Sequence, residues 1–180
     1  TTTINNVEAK NLIKVSSTTY TVDYEISEGD TDRASGTIPV SIVLVDSVGQ
    51  YNDPPFTSVA ANTAAIDAHS PGVASVSFNP SSGILKIGDT ATATITSAGN
   101  ETGLFAGTAI KINNVEVKSS FTEVGSGQYT VTYTVSEGDT DHPDSDDLPV
   151  YIILRDTAGN QSSAYTTADP SNRPGVDAHK

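Results

Sequence analysis

Six residues carry the densest chemistry in this chain, and they occur twice: Ser-Glu-Gly-Asp-Thr-Asp fills 27–32 and again 136–141. Each copy sets three carboxylates at alternate positions, Glu28, Asp30 and Asp32 in the first, Glu137, Asp139 and Asp141 in the second. The second copy runs on into DTDHPDSDD, which places Asp139, Asp141, Asp144, Asp146 and Asp147 within nine residues. Like charges this close repel unless a cation or hydrogen-bond donors offset them. Ca²⁺ suits such a set because it accepts six to eight oxygen ligands in forgiving geometry from Asp, Glu, Asn and backbone carbonyls. Zn²⁺ would call for His or Cys; the chain has no Cys and its three His are scattered. No EF-hand is present, since the loop lacks that motif's Gly at position 6 and Glu at position 12. The competing reading makes these acids solvated turn residues, because Asp side chains readily accept hydrogen bonds from their own backbone. Asp156, in DTAGN, suits either role.

The hexapeptide is part of a longer repetition. INNVEAK at 4–10 returns as INNVEVK at 112–118, YTVDYEISEGDTD at 20–32 as YTVTYTVSEGDTD at 129–141, IPVSIVLVD at 38–46 as LPVYIILRD at 148–156, and DAHS at 67–70 as DAHK at 177–180. The offset grows from 108 to 110, with each change falling in a loop. A period of about 110 residues is too long for a solenoid unit and matches a whole small domain in tandem array. Residues 71–180 make one full period, whereas 1–70 match only its later part, with Thr1 aligned to Ala109 and no second copy of 71–108. Two readings follow for that incomplete repeat. Either the chain is a piece of a longer array, or the missing strands come from another chain by strand addition at an open sheet edge.

Composition narrows the partners. Twenty-two acidic residues against 9 basic give a net charge of -13, which disfavours nucleic acid and anionic membranes, both of which need clustered Lys or Arg. Without Cys there is neither a disulfide framework nor a thiolate metal site. No apolar run approaches the roughly 20 residues that a membrane-spanning helix needs. Acidic, Thr-rich tandem modules without Cys, Met or Trp fit an extracellular surface protein.

The elements that must position these acids are strands. In QYTVTYTV, Tyr129, Val131, Tyr133 and Val135 share one face while Thr130, Thr132 and Thr134 share the other, the period-two signature of a half-buried strand. ATATITS at 91–97 alternates likewise, and LPVYIILRD sets Val150, Ile152 and Leu154 on one face. Turn chemistry separates these runs at NPSSG, SAGNETG, GSG and DTAGN. The spacing predicts strands at 73–78, 89–97, 108–114, 128–136, 148–156 and 162–168, with a short edge piece at 115–123. The fold class expected is all-β, tandem immunoglobulin-like Greek-key sandwiches, with 1–70 a partial repeat lacking its first two strands and 71–180 complete.

GILKIGDTATATIT, YTVSEGDTD and above all VYIILRDTAGNQ with its counterpart VSIVLVDSVGQY resemble the bacterial immunoglobulin-like repeats of large cell-surface adhesins. The resemblance spans 71–180 and, in part, 1–70. It implies a stiff extender module, often Ca²⁺-dependent, holding a terminal binding domain away from the cell. The first copy departs from the hairpin pattern, with Gln50 where the second has Asn160.

In a sandwich of this kind the SEGDTD connection and the domain's end share one pole. Glu28, Asp30, Asp32 and Asp67 are therefore expected to meet Asn100, Glu101, Asp156 and Asn160 of the next repeat, with Ca²⁺ between them. Asp139, Asp141, Asp144, Asp146, Asp147 and Asp177 form the matching acidic pole of the second repeat. His69 and His179 are read as packing or capping groups beside the recurring Asp67 and Asp177. No nucleophile motif or phosphate loop marks an enzyme, so the expected role is structural, with neighbouring repeats as partners. Two alternatives stand beside it. One is a filament or surface-layer subunit built by strand donation; the other is a Ca²⁺-dependent carbohydrate binder using Tyr51, Phe56 or Tyr165.

Overall fold

The computed structural model describes residues 1–60 and 63–180. The chain is built of strands and forms two compact units, Thr1–His69 and Ser70–Lys180.

In the second unit the alternating runs become strands with their apolar face inward. They are β6 (Val73–Asn79), β7 (Ile84–Lys86), β8 (Thr90–Ser97), β9 (Phe105–Ile112), β10 (Val115–Glu116), β11 (Thr122–Gly125), β12 (Gln128–Thr134), β13 (Val150–Arg155) and β14 (Gly175–Asp177). An antiparallel sheet of order β11-β12-β8-β6 and a second of order β10-β9-β13 enclose one core. The register sets Tyr129 opposite Ile95, Val131 opposite Ala93 and Tyr133 opposite Ala91. All six are wholly buried, while the threonines between them on β12 and β8 face outward. Val150, Ile152 and Leu154 close the core from the other sheet. Each such side chain contributes about 1.5–3 kcal/mol on leaving water, so this layer holds the unit together.

The repeated Asn-Asn pairs are hairpin turns. Asn113 and Asn114, with φ of 50° and 65°, join β9 to β10, and Asn5 and Asn6, with φ of 53° and 65°, turn the chain in the first unit. Two consecutive positive φ angles match the twist of a tight two-residue hairpin, and Asn tolerates that region better than most residues.

Two elements differ from the sequence reading. Residues 162–168 form no strand. Their backbone divides its hydrogen bonds: Tyr165 exchanges a pair with Ile152 of β13, but Asp169 N–H already donates to Val76 of β6. A segment crossing from one sheet to the other cannot keep a ladder with either. The closing strand is β14, which pairs in parallel with β7; both are too short to alternate legibly. The edge piece read at 115–123 also divides, into β10 on one sheet, a 3-10 turn at Lys118–Ser120, and β11 on the other.

The first unit repeats these elements thinly. It contains β1 (Thr3–Ile4), β2 (Val7–Glu8), β3 (Lys10–Lys14), β4 (Tyr20–Asp23) and β5 (Val40–Ser41), in sheets of order β2-β1-β5 and β3-β4. Among its described residues the buried apolar side chains are Ile66 and Ala68 alone. Tyr20, Ile26 and Leu44, which align with the buried Tyr129, Val135 and Leu154, are 42%, 49% and 38% exposed.

Candidate functional site

The hexapeptide's geometry is the same in both units, and hydrogen bonds account for most of it. Its first Asp closes a turn: Asp30 Oδ2 accepts from Ser27 N–H at 2.9 Å, and Asp139 Oδ2 accepts from Ser136 N–H at 2.9 Å. The same oxygens accept a tyrosine hydroxyl, Tyr24 at 2.7 Å and Tyr133 at 2.9 Å. Each tyrosine in turn accepts from a buried asparagine, Asn5 Nδ2 at 3.1 Å and Asn113 Nδ2 at 3.2 Å. Those amides also donate to the backbone carbonyl within the hexapeptide, Thr31 at 2.8 Å and Thr140 at 2.7 Å. The turn is thus pinned to the hairpin between β9 and β10, or β1 and β2, through a Tyr-Asn pair. Donors at the carboxylate hold Asp30 below the usual carboxylate range, Ser27 N–H first and the Tyr24 hydroxyl second. Burial, with the adjacent Asp139 adding to it, pushes the Tyr133 hydroxyl up to about 12.

One contact separates the two copies. Arg33 Nε donates to Asn5 Oδ1 at 2.7 Å, but the aligned residue of the second unit is His142, whose Nδ1 lies 3.0 Å from the Pro143 carbonyl. Asn113 Oδ1 is accordingly the buried polar side-chain atom without a protein partner among the described residues. This amide tolerates a cationic donor in one repeat and does without it in the other.

The second Asp of the hexapeptide clips the end of the unit to its body. Asp32 Oδ1 accepts from Ala68 N–H at 2.8 Å and lies 3.0 Å from His69 Nδ1. Asp141 Oδ1 accepts from Ala178 N–H at 2.7 Å and lies 3.0 Å from His179 Nδ1. Gly29 N–H to Ala68 and Gly138 N–H to Ala178 complete each clip through the backbone, at 2.8 and 3.1 Å. The alanine N–H and then the histidine lower both carboxyl pKa values. The paired carboxylate raises both imidazoles, His69 and His179, with Glu28 and Asp67, or Glu137 and Asp177, adding to the field.

These shifts fix the sign of a pH dependence. A histidine raised by folding contributes stability below its ordinary value of about 6.5 and loses it as pH rises through the folded value; a lowered Asp contributes above about 3.9 and loses it as pH falls. The clip is therefore strongest between about pH 4 and 6.5. Both partners are more than half exposed, so solvent screening keeps the effect small. NMR titration of the His69 and His179 ring protons is expected to give midpoints above the ordinary histidine value. Asp32→Asn should bring His69 alone back toward the ordinary value.

The remaining candidate ligands have settings of their own. Asp67 Oδ1 and Asp177 Oδ1 accept from the N–H two residues on, at 3.3 and 3.4 Å. Asp147 is taken by Arg173 Nε at 2.7 Å, and Asp146 accepts from Ser145 Oγ at 3.3 Å. Asp144 is exposed. Asp139, Asp141, Asp146 and Asp147 thus each accept from different protein donors. Asp156 is a buried turn residue: Oδ1 accepts from Gly159 and Asn160 N–H at 2.7 and 2.8 Å, and Oδ2 from Asn160 Nδ2 at 2.9 Å. In the first unit Asp46 repeats this with Val48 and Gln50 N–H, both at 2.9 Å. Asn100 sits at positive φ in a 3-10 turn, and the Glu101 carbonyl accepts from Ser97 Oγ and the Tyr129 hydroxyl at 2.8 and 3.0 Å. Glu28 is exposed beside the first clip.

Among the described residues, Asp32, Asp67 and His69 bring one ligand atom each to within 4.8 Å of one another. Two carboxylates offer the hard oxygens that Ca²⁺ takes; an imidazole beside them also fits a first-row transition ion. Tyr51 and Phe56 are 67% and 58% exposed, whereas Tyr165 packs against the core.

Comparison with known protein families, with characterised proteins and with solved structures finds no match. The residues that sequence reasoning passed over are the tyrosine-asparagine pair, Tyr24 with Asn5 and Tyr133 with Asn113. Their signal was present, since Asn-Asn recurs in INNVE at both copies and the last residue of each Tyr-x-x-x-Tyr run recurs at the same offset as the hexapeptide acids.

Proposed function

We propose that the chain is an extracellular structural spacer, made of tandem immunoglobulin-like β modules that set the distance and direction between whatever lies at either end. The supporting observation is the clip. In both units the residues at which a repeat ends are tied to the body of that repeat by the same Asp-Ala-His contacts. A module that fixes its own exit segment transmits direction to the next, and this is what a spacer requires. The second unit's core of aliphatic and tyrosine side chains, with threonines on the outer strand faces, suits the same purpose.

Within this reading Ca²⁺ is the cation taken up at the repeat ends, with Asp32 and Asp67 as the nearest oxygens. It would offset the charge of an acidic surface and stiffen the exit segment further. A ligand binding only the folded form adds about 2.7 kcal/mol at a hundred times its Kd. Calorimetric titration of the full chain with CaCl₂, followed by melting with and without EDTA, tests it. Heat of binding and a melting temperature that falls on chelation are expected, and Asp67→Ala should remove the part due to the first unit. Absence of both responses eliminates the calcium role. The spacer role is tested separately by small-angle scattering on arrays of two, four and six complete repeats: the maximum dimension should grow in proportion to repeat number, and a compact cluster would refute it.

A further inference from the structure

One buried amide distinguishes the two units chemically. Asn5 and Asn113 are both 1% exposed, and through Nδ2 each holds a tyrosine hydroxyl and the threonine carbonyl of its hexapeptide. Asn5 Oδ1 also receives a guanidinium, Arg33 Nε at 2.7 Å, whereas Asn113 Oδ1 has no protein donor among the described residues. A buried oxygen withdrawn from bulk water is a strong acceptor for any donor that can reach it. Arg33 and His142 stand at equivalent backbone positions, since Arg33 N–H donates to the Ile66 carbonyl at 2.9 Å and His142 N–H to the Val176 carbonyl at 2.8 Å. The His142 ring, however, is turned to its own loop, with Nδ1 3.0 Å from the Pro143 carbonyl. His142 also borders a cleft of about 450 Å³. Ile84, Pro143 and Val176 give this cleft apolar walls, and Asp141 and Asp177 bring two carboxylates to it. Walls of that kind suit the methylene stem of a long basic side chain, and carboxylates suit its charged head.

We infer that this cleft is a receptor for an arginine side chain of a partner protein, whose guanidinium takes on Asn113 the place that Arg33 takes on Asn5 within its own unit. Arginine fits better than lysine because its planar fork donates in several directions at once, to the amide oxygen and to a carboxylate together, where an ammonium is a point charge. This chain is a poor source of the group. Its three arginines are engaged already: Arg33 on Asn5, Arg155 over the Phe105 ring at 5.2 Å, and Arg173 on Asp147 at 2.7 Å. A net charge of -13 draws a basic partner in its place. The second unit folds without the guanidinium, which keeps the position open to an outside donor. The inference rests neither on calcium nor on the spacer role.

The probe is an acetylated, amidated Gly-Arg-Gly peptide, titrated in EDTA into the isotope-labelled full chain and followed by NMR, with Gly-Lys-Gly as its counterpart. The side-chain amide of Asn113 and the backbone amides of His142 and Val176 should shift to saturation. The lysine peptide should bind at least about 10-fold more weakly, as the loss of one charge-assisted hydrogen bond implies. His142→Arg should fill the place from within: its own spectrum should show the Asn113 amide moved as the arginine peptide moves it, and added peptide should shift that amide no further. No shift at Asn113 with millimolar peptide overturns the inference. Equal responses to the two peptides that persist in His142→Arg overturn it too, since they mark unspecific attraction to an acidic surface. So does a nuclear Overhauser contact between the His142 ring and the Asn113 amide in the free chain, which would make His142 itself the donor.

Discussion

Tyr133→Ala is expected to lower the stability of the second unit by about 3–5 kcal/mol, the cost of removing a large aromatic side chain from a close-packed core. The ring is wholly buried opposite Ala91, so its loss leaves a cavity between the sheets that neighbouring strands cannot close. The hydroxyl adds to the loss, because it donates to Asp139 Oδ2 and accepts from Asn113 Nδ2. Without it, one carboxylate contact and one buried amide contact are lost together. Tyr133→Phe isolates that part and should cost about 1–2 kcal/mol. The contrast is Tyr24→Ala in the first unit. Tyr24 makes the same two contacts but sits half-buried on a unit with almost no core, so its removal should cost about 1–2 kcal/mol. Urea unfolding resolved by hydrogen exchange in the two units measures all three. Equal costs for Tyr24 and Tyr133 would mean that the two cores are equally closed in solution.

That asymmetry marks where the sequence was legible. Strands β6, β8, β12 and β13 could be read because each alternates or runs apolar over six or more residues, enough for the period of two to stand out from composition. Strands β7 and β14 could not: three residues each, paired in parallel across most of the unit, they owe their form to a tertiary neighbour and not to local pattern. The 162–168 stretch failed for the opposite reason. Its Tyr and Thr residues have strand propensity, but tertiary hydrogen bonds pull its two ends to different sheets.

The site shows the same division. Charge density singled out the hexapeptide as a place where carboxylates must be offset. It could not distinguish offset by a cation from offset by the N–H groups of Ser136 and Ala178, because those donors are brought up by the turn and by the far end of the unit. Asp156 illustrates the limit: its three donors lie three and four residues onward, and the DTAGN pattern is common to a turn and to a ligand loop. Duplication was the stronger signal. Where a residue recurs at the repeat offset with the same contacts, as Asp32 and Asp141 do, its role is fixed by the fold of each unit; where the copies differ, as Arg33 and His142 do, the contact is dispensable.

Gly127→Ala carries the second large effect, and it acts on the loop that bears Asn100 and Glu101. Gly127 has φ of 72°, and a Cβ there would lie 2.4 Å from both the Cα and the carbonyl carbon of Asn100 and 2.7 Å from its oxygen. Backbone atoms are the obstacle, so no side-chain rotation relieves it. The Gly127 carbonyl also accepts from Ser97 N–H at 2.9 Å and Ser97 Oγ at 3.0 Å, which ties the β11–β12 turn to the end of β8. Alanine must therefore push the Ala98–Asn100 turn off the hairpin or break those bonds. Left-handed strain and overpacking each cost about 1–3 kcal/mol, and the sum expected is about 2–6 kcal/mol. Gly159→Ala separates the two contributions: φ is 103° there, but nothing lies within 4 Å of the added carbon, so only the conformational cost of about 1 kcal/mol applies. Both are read from denaturant midpoints at constant m-value. If the two substitutions cost the same, the Asn100 turn yields freely, and a loop that yields freely cannot hold Asn100 and Glu101 in a fixed geometry for a cation.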